Sequence, residues 1–140
     1  MVWESRVHES DLIVEVRHEG ECTMSEILAS REAVISELLS RGWRMVLVDV
    51  SQARFARALS PQETIAYARR YRQEDVVDKV SEVTVAVVLP REAISRVAVR
   101  LMARAANNRG LDSKVCENID EARQWLLANN RVKERQSTNA

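Results

Sequence analysis

Two apolar runs constrain this chain more than any other feature. They are Met45–Val46–Leu47–Val48–Asp49–Val50 and Val83–Thr84–Val85–Ala86–Val87–Val88–Leu89. Runs of β-branched and aliphatic residues this continuous suit a strand covered on both faces, and not a half-solvated one. Amphipathic helical patterns flank each run. The combination predicts an α/β domain built around a mainly parallel sheet.

The rest of the chain supplies the other elements. Val2 to Val7 can form an edge strand. In the next stretch Leu12, Val14 and Val16 alternate with Ile13, Glu15 and Arg17, a period-two pattern with one polar-tolerant face. A turn near Glu9 and Ser10 would pair the two as an antiparallel hairpin, and His18–Gly20 would lead out of it. Thr23-x-x-Glu26 is a capping box: the threonine hydroxyl satisfies an orphan amide and the glutamate reaches back. Met24, Ile27, Leu28, Val34, Ile35, Leu38 and Leu39 follow at helical spacing, and Gly42 ends the helix. Ser60–Pro61–Gln62–Glu63 is a second capping box with proline at the first helical position, predicting a helix from Pro61 to about Gln73. Pro90 opens a third helix, striped by Ile94, Val97, Leu101 and their alanine and methionine neighbours. Lys114–Cys116 reads as a short last strand. Asn118 to Glu121 can cap a final helix carrying Trp125 and Leu126. The order is β-β-α-β-α-β-α-β-α, with a mixed, mainly parallel sheet of about five strands and an N-terminal β-hairpin. Residues 1–130 make a single domain in this reading. Residues 131–140 are polar and aperiodic, which predicts a disordered tail.

Several function classes lose support on composition. The chain has 140 residues, with 21 Lys plus Arg balancing 21 Asp plus Glu. A general nucleic-acid binder needs a surplus of cations, so no nucleic-acid partner is expected. No stretch approaches the ~20 apolar residues that span a bilayer, so stable membrane insertion is not expected either. The amino terminus, with Glu4, Glu9 and Asp11, lacks a signal-peptide layout. Cys22 and Cys116 form no C-x-x-C pair. A cytoplasmic protein with free thiols is the expectation. Each of the three glycines has a punctuation role, leaving none for a G-x-G-x-x-G or P-loop cradle. No cofactor is implied. His8 and His18 lack partners at metal spacing and read as surface or hairpin residues.

Asp49 ends the central strand, Arg44–Asp49, in this reading, and open α/β sheets place ligands near the carboxyl ends of their strands. It can equally bond Ser51 in an Asx-type turn, which is the favoured role. Ser60 is explained by its capping box. A phosphate there, near Arg54 and Arg57, would also be favourable at a helix amino terminus, making Ser60 a phosphoacceptor candidate and Ser51 a weaker one. Arg69, with Arg70 and Arg72, faces outward or toward a partner. Arg96, Arg100 and Arg104 recur every four residues beside the apolar stripe. Most such rows are solvated faces; an acidic partner or an anionic headgroup is the sharper alternative.

A resemblance rests on these pieces together. Glu19–Gly20, Thr23-x-x-Glu26, Gly42–Trp43–Arg44 leading into Met45–Asp49, Ser60–Pro61, Val85–Val88, Asn108–Arg109–Gly110 and Glu121–Leu126 follow one another from about Leu12 to Leu127. The chain resembles the bacterial SpoIIAA-like group, whose fold is shared by STAS domains and Sec14-type lipid-binding domains. The resemblance implies successive β-α units with strands ordered roughly along the chain and helices mainly on one face, an α/β SpoIIAA-like fold. It also implies a domain that is not an enzyme and that binds a protein partner under the control of a phosphorylated serine. In that group the serine lies in an Asp-Ser-Ser-Gly-like turn. Here the matching stretch, Ala53 to Pro61, lacks the acid, the paired serines and the glycine, and only Ser60 holds a comparable place.

The leading expectation is therefore a non-catalytic regulatory or scaffold domain binding a protein partner through the region of Asp49, Arg54, Arg57 and Arg69. The alternative is a carrier or sensor of a small amphiphilic ligand. An enzyme would need Asp49, Ser51, Glu63 or an arginine to converge in a pocket. An incompletely covered sheet face would favour a homodimer.

Overall fold

The computed structural model describes residues 2–55, 62, 83–108 and 110–138. Five strands form one sheet in the order β1-β2-β3-β4-β5. They are β1 (Val2–His8), β2 (Ile13–Glu21), β3 (Met45–Arg54), β4 (Thr84–Val88) and β5 (Asp112–Cys116). β1 pairs antiparallel with β2, and every later pair is parallel. The helices are α1 (Met24–Arg41), α2 (Ala93–Asn107) and α3 (Ile119–Thr138). This is the mixed, mainly parallel sheet with an amino-terminal hairpin that the apolar runs predict. The two runs lie side by side, with Leu47 opposite Ala86 and Val48 opposite Val87. The helix expected over 61–73 lies outside the described residues.

Alternation along β3 sorts the core into two layers. Met45 and Leu47 point to one face, where they meet Ala122 and Leu126 of α3 with Ile13, Ala86 and Val88. Val46 points to the other, against Val34 and Leu38 of α1. Val50 on that same face meets Ile27 of α1 and Val99 of α2. Two of the three described helices thus share a face, as right-handed crossovers between strands in sequential order require. α3 covers the opposite face.

Local chemistry sets the element ends. The Thr23 hydroxyl accepts from the Glu26 amide at 3.3 Å, and the Glu26 carboxylate accepts from the Thr23 amide at 3.4 Å, completing the capping box. Gly42, at φ 68°, takes the left-handed conformation that closes α1, and its N–H reaches the Leu38 carbonyl. The Asn118 side chain accepts from the Glu121 amide at 2.8 Å, capping α3 as its spacing predicts.

Four features differ from the expectation. β3 does not stop at Asp49; it runs on to Arg54, pairing there with Glu21 of β2. Gly20 does not end a strand but sits inside β2 at φ 81°, just past an irregularity between Arg17 and Glu19. A bulge lets the strand absorb an extra residue and continue. The polar-tolerant face expected in β2 is closed over its first half, because Ile13, Val14, Glu15 and Val16 are all buried. Finally, α3 continues past Asn130 to Thr138, across most of the segment expected to be a disordered tail. Its residues there are good helix formers despite their polarity, and a capped, docked first half supplies the costly nucleus.

Candidate functional site

The sequence-derived candidates do not converge. Asp49 lies within β3 opposite Val88, the last residue of β4, so β3 continues alone with β2 beyond that point. Its side chain is almost fully buried. One carboxylate oxygen accepts from the Ser51 amide at 3.0 Å and from the Ser51 hydroxyl at 2.6 Å. The other lies 3.8 Å from Arg17 Nε. The Asx-type bond to Ser51 is thus present, on a strand and not in a turn. The Ser51 hydroxyl is committed to it. Arg54 ends β3 with an exposed side chain, and its carbonyl accepts from the Cys22 amide at 2.8 Å. Arg57, Ser60 and Arg69, and Glu63 with them, lie outside the described residues.

Arg17 is the residue the sequence reading missed beside Asp49. It also lies 3.6 Å from Glu19. Its register partner in the sheet is Asp49 itself, a pairing across parallel strands that no local spacing reveals. His8, half-buried, stands 3.5 Å from Glu15 on the same sheet face. Asp11 and Arg123, at 3.4 Å, join the hairpin turn to α3. Together these groups form a polar strip over β1 and β2. Among the described residues no group of three or more His, Cys, Asp or Glu side chains could hold a metal ion.

A second set of polar groups lies under α1. His18 is buried, contrary to the surface or hairpin placement its sequence position suggests. Its Nε2 is 3.1 Å from the Ser30 hydroxyl, and its Nδ1 is 3.4 Å from Cys22 Sγ. The Ser30 hydroxyl donates to the Ile27 carbonyl at 2.9 Å. That donation fixes the direction of the rest. Ser30 must accept from Nε2–H, so Nδ1 is the lone-pair nitrogen and accepts the weak Cys22 S–H bond. Burial lowers the His18 pKa against the raising influence of Glu26. Burial, reinforced by Glu26, pushes the Cys22 thiol up to about 12. Both groups are therefore neutral near pH 7, and Cys22 is not a thiolate nucleophile. Cys116 is also a free thiol, likewise pushed up by burial.

His18 and Ser30 border a groove between the sheet and the two helices on its shared face. Val16, Val46, Val48 and Val50 contribute its floor. Ile27, Val34 and Leu38 of α1 and Val99 and Met102 of α2 contribute its walls. Its empty volume is about 990 Å³, open mouth included. Among the described residues Arg31 and Ser113 are its other polar lining.

Among the described residues the outer side of α2 carries the most exposed large apolar side chains. Ile94, Val97 and Leu101 are 65%, 57% and 53% exposed. Their i, i+3, i+7 spacing sets them in one ridge. The residues that α2 buries are instead Ser95, Val99 and Ala106. Arg100 and Arg104 border the ridge. Arg96 donates to Glu117 at 2.6 Å, and Arg100 lies 3.9 Å from the same carboxylate. The Arg96 bond holds the Glu117 carboxyl below its usual range. Arg104 has no ion-pair partner among the described residues. Ser95 fixes the helix beneath: its hydroxyl accepts from the Phe55 amide at 2.9 Å. No helix among the described residues is long and apolar enough to cross a membrane.

No protein-family model matches the chain, and no curated protein does. Among solved structures the chain is similar to an uncharacterized protein of the DUF3478 family with a SpoIIAA-like fold, from Shewanella loihica PV-4. The match covers 89% of this chain and 92% of that one at a TM-score of 0.54 and 16% identity. The fold is SpoIIAA-like.

Proposed function

Starting from a SpoIIAA-like fold, we propose that this is a non-catalytic, STAS-like regulatory or scaffold domain that binds a protein partner. The observation that carries the reading is the α2 ridge. Three large aliphatic side chains stand more than half exposed in one line, Ile94, Val97 and Leu101. Apolar ridges edged by charge are the usual form of a helix-mediated contact, with the aliphatic row supplying affinity and the rim supplying orientation. The arginine edge favours a partner with acidic groups flanking an apolar strip. Free, buried cysteines fit a reducing, cytoplasmic setting. The reading requires no switch serine, since the Ser51 hydroxyl is spent on Asp49.

Photo-crosslinking tests it. A benzoylphenylalanine at Leu101 in the full chain should give one discrete adduct in the native host. The same group at Gln124, exposed on α3, should not, and Arg100→Glu with Arg104→Glu should abolish the Leu101 adduct. Identical adducts from both positions, or none from either, would overturn the proposal. An adduct of twice the chain's mass would make the partner a second copy.

A further inference from the structure

We propose that β1 is a docking edge for a second copy of this chain, the two β1 strands pairing antiparallel about a two-fold axis through Ser5. β1 ends the sheet: among the described residues its one strand neighbour is β2. It pairs with β2 one for one along Val2–His8. The outer edge of such a strand is a row of backbone N–H and C=O groups without sheet partners. Folds protect that edge with proline, a bulge, a very short strand or repelling charge. β1 has no proline and no bulge, and its exposed ion pair, Glu4 and Arg6, combines both signs.

The side chains make this edge complementary to itself. Residues directly opposite in a sheet point to the same face, and a two-fold axis normal to the sheet keeps the faces of the two copies continuous. Ser5 is the middle residue of Val2–His8, so an axis there overlaps the strands along their whole length. Glu4 then stands opposite the partner's Arg6, and Arg6 opposite the partner's Glu4. Charge already alternates on that face within one chain: Arg17 is opposite Asp49, Glu4 opposite Arg17, and Arg6 opposite Glu15. Pairing extends the alternation into one row, running Asp49, Arg17, Glu4, the partner's Arg6, the partner's Glu15. The other face sets half-buried Trp3 opposite the partner's Val7, an aromatic against a β-branched side chain.

The register is also exclusive. The smallest slide that keeps the faces is two residues. It puts Glu4 opposite the partner's Glu4 in one direction and Arg6 opposite the partner's Arg6 in the other, and like charges directly opposite are destabilising. Within one chain Arg6 meets Glu4 at 3.1 Å, with both side chains more than half exposed. So open a pair is weak, and exchanging it for a pair between copies costs little. β5, against which α2 packs, is the opposite edge of the sheet, so association through β1 leaves the α2 ridge free.

Sedimentation equilibrium on the full chain tests the proposal. The wild-type chain should show a reversible monomer–dimer equilibrium. Glu4→Arg and Arg6→Glu should each weaken it about tenfold or more, because the axis applies each substitution twice. An equimolar mixture of the two variants should restore association as a heterodimer, since every opposite-charge pair between copies is then re-formed. A role for Glu4 and Arg6 within one chain gives no such rescue. A second variant keeps the proposal testable should a charge reversal not fold. Residues directly opposite in antiparallel strands stand within disulfide reach, so Ser5→Cys should yield a linked dimer on mild oxidation and Gln124→Cys should not. A wild-type chain that stays monomeric at millimolar concentration, single charge variants as dimeric as the wild type, a mixture no more associated than its components, or no linked dimer from Ser5→Cys would each overturn the proposal.

Discussion

His18 shows how much a single side chain can be altered by its place. In the chain it is one of two histidines in a hairpin, four residues from a cysteine and twelve from a serine. In the fold it ties the end of β2 to α1 through a chain of three neutral hydrogen bonds. Its depressed pKa makes this a stability statement with a definite sign. The unfolded chain takes up a proton at a higher pH than the folded one does. The contribution is therefore complete above the unfolded value of about 6.5 and is lost as pH falls through the folded value. Stability to urea should decline from pH 7 toward pH 5 by at most about 1.4 kcal/mol per pH unit from this group. His18→Gln should lower stability at pH 7 and flatten the decline; equal slopes in the two proteins would refute the role. Neither the burial of His18 nor the pairing of Arg17 with Asp49 was legible in the sequence. Both depend on which strands become neighbours and on the irregularity after Arg17, and neither leaves a local spacing.

At the scale of elements, the ends were more legible than the faces. Capping is a matter of a few adjacent residues, so Thr23-x-x-Glu26, Gly42 and Asn118 announce themselves. Gly42→Ala forces a Cβ into the left-handed region and should cost about 1 kcal/mol in denaturant melts, with α1 otherwise retained. No loss would mean that α1 ends differently. The faces of α2 were read less well. Its aliphatic, alanine and methionine residues fall in adjacent pairs and read as a single stripe. So wide an arc cannot all face one sheet. The structure buries the Ser95–Val99–Ala106 side and leaves Ile94, Val97 and Leu101 outside. The sequence shows that the helix is amphipathic; only the sheet's position shows which part of the stripe is surplus, and the surplus is where a partner is expected. α3 errs the other way. Its polar second half has no periodicity to report, but a helix anchored by Ala122 and Leu126 can propagate beyond its buried part.

At the scale of the molecule, the sheet was legible because hydrophobic runs dictate burial on both faces, and burial on both faces dictates helices on both sides. Consecutive parallel crossovers then order the strands along the chain. The functional region was not legible in the same way. The resemblance pointed to the segment around Ser60, which lies outside the described residues. The groove and the ridge arise from the arrangement of α1 and α2 on one face, a property of no single segment. Both depend on β3 and β4 lying parallel and adjacent in the middle of the sheet, since that pairing sets the groove floor and the side from which α2 returns. The direct measurement is the set of interstrand amide and Hα nuclear Overhauser contacts in the isotopically labelled protein. The account predicts parallel-type Hα–HN contacts linking Val46–Asp49 to Val85–Val88 in the register Leu47 opposite Ala86, with slow amide exchange in both strands. Close Hα–Hα contacts between the two strands, the mark of an antiparallel pair, would contradict it.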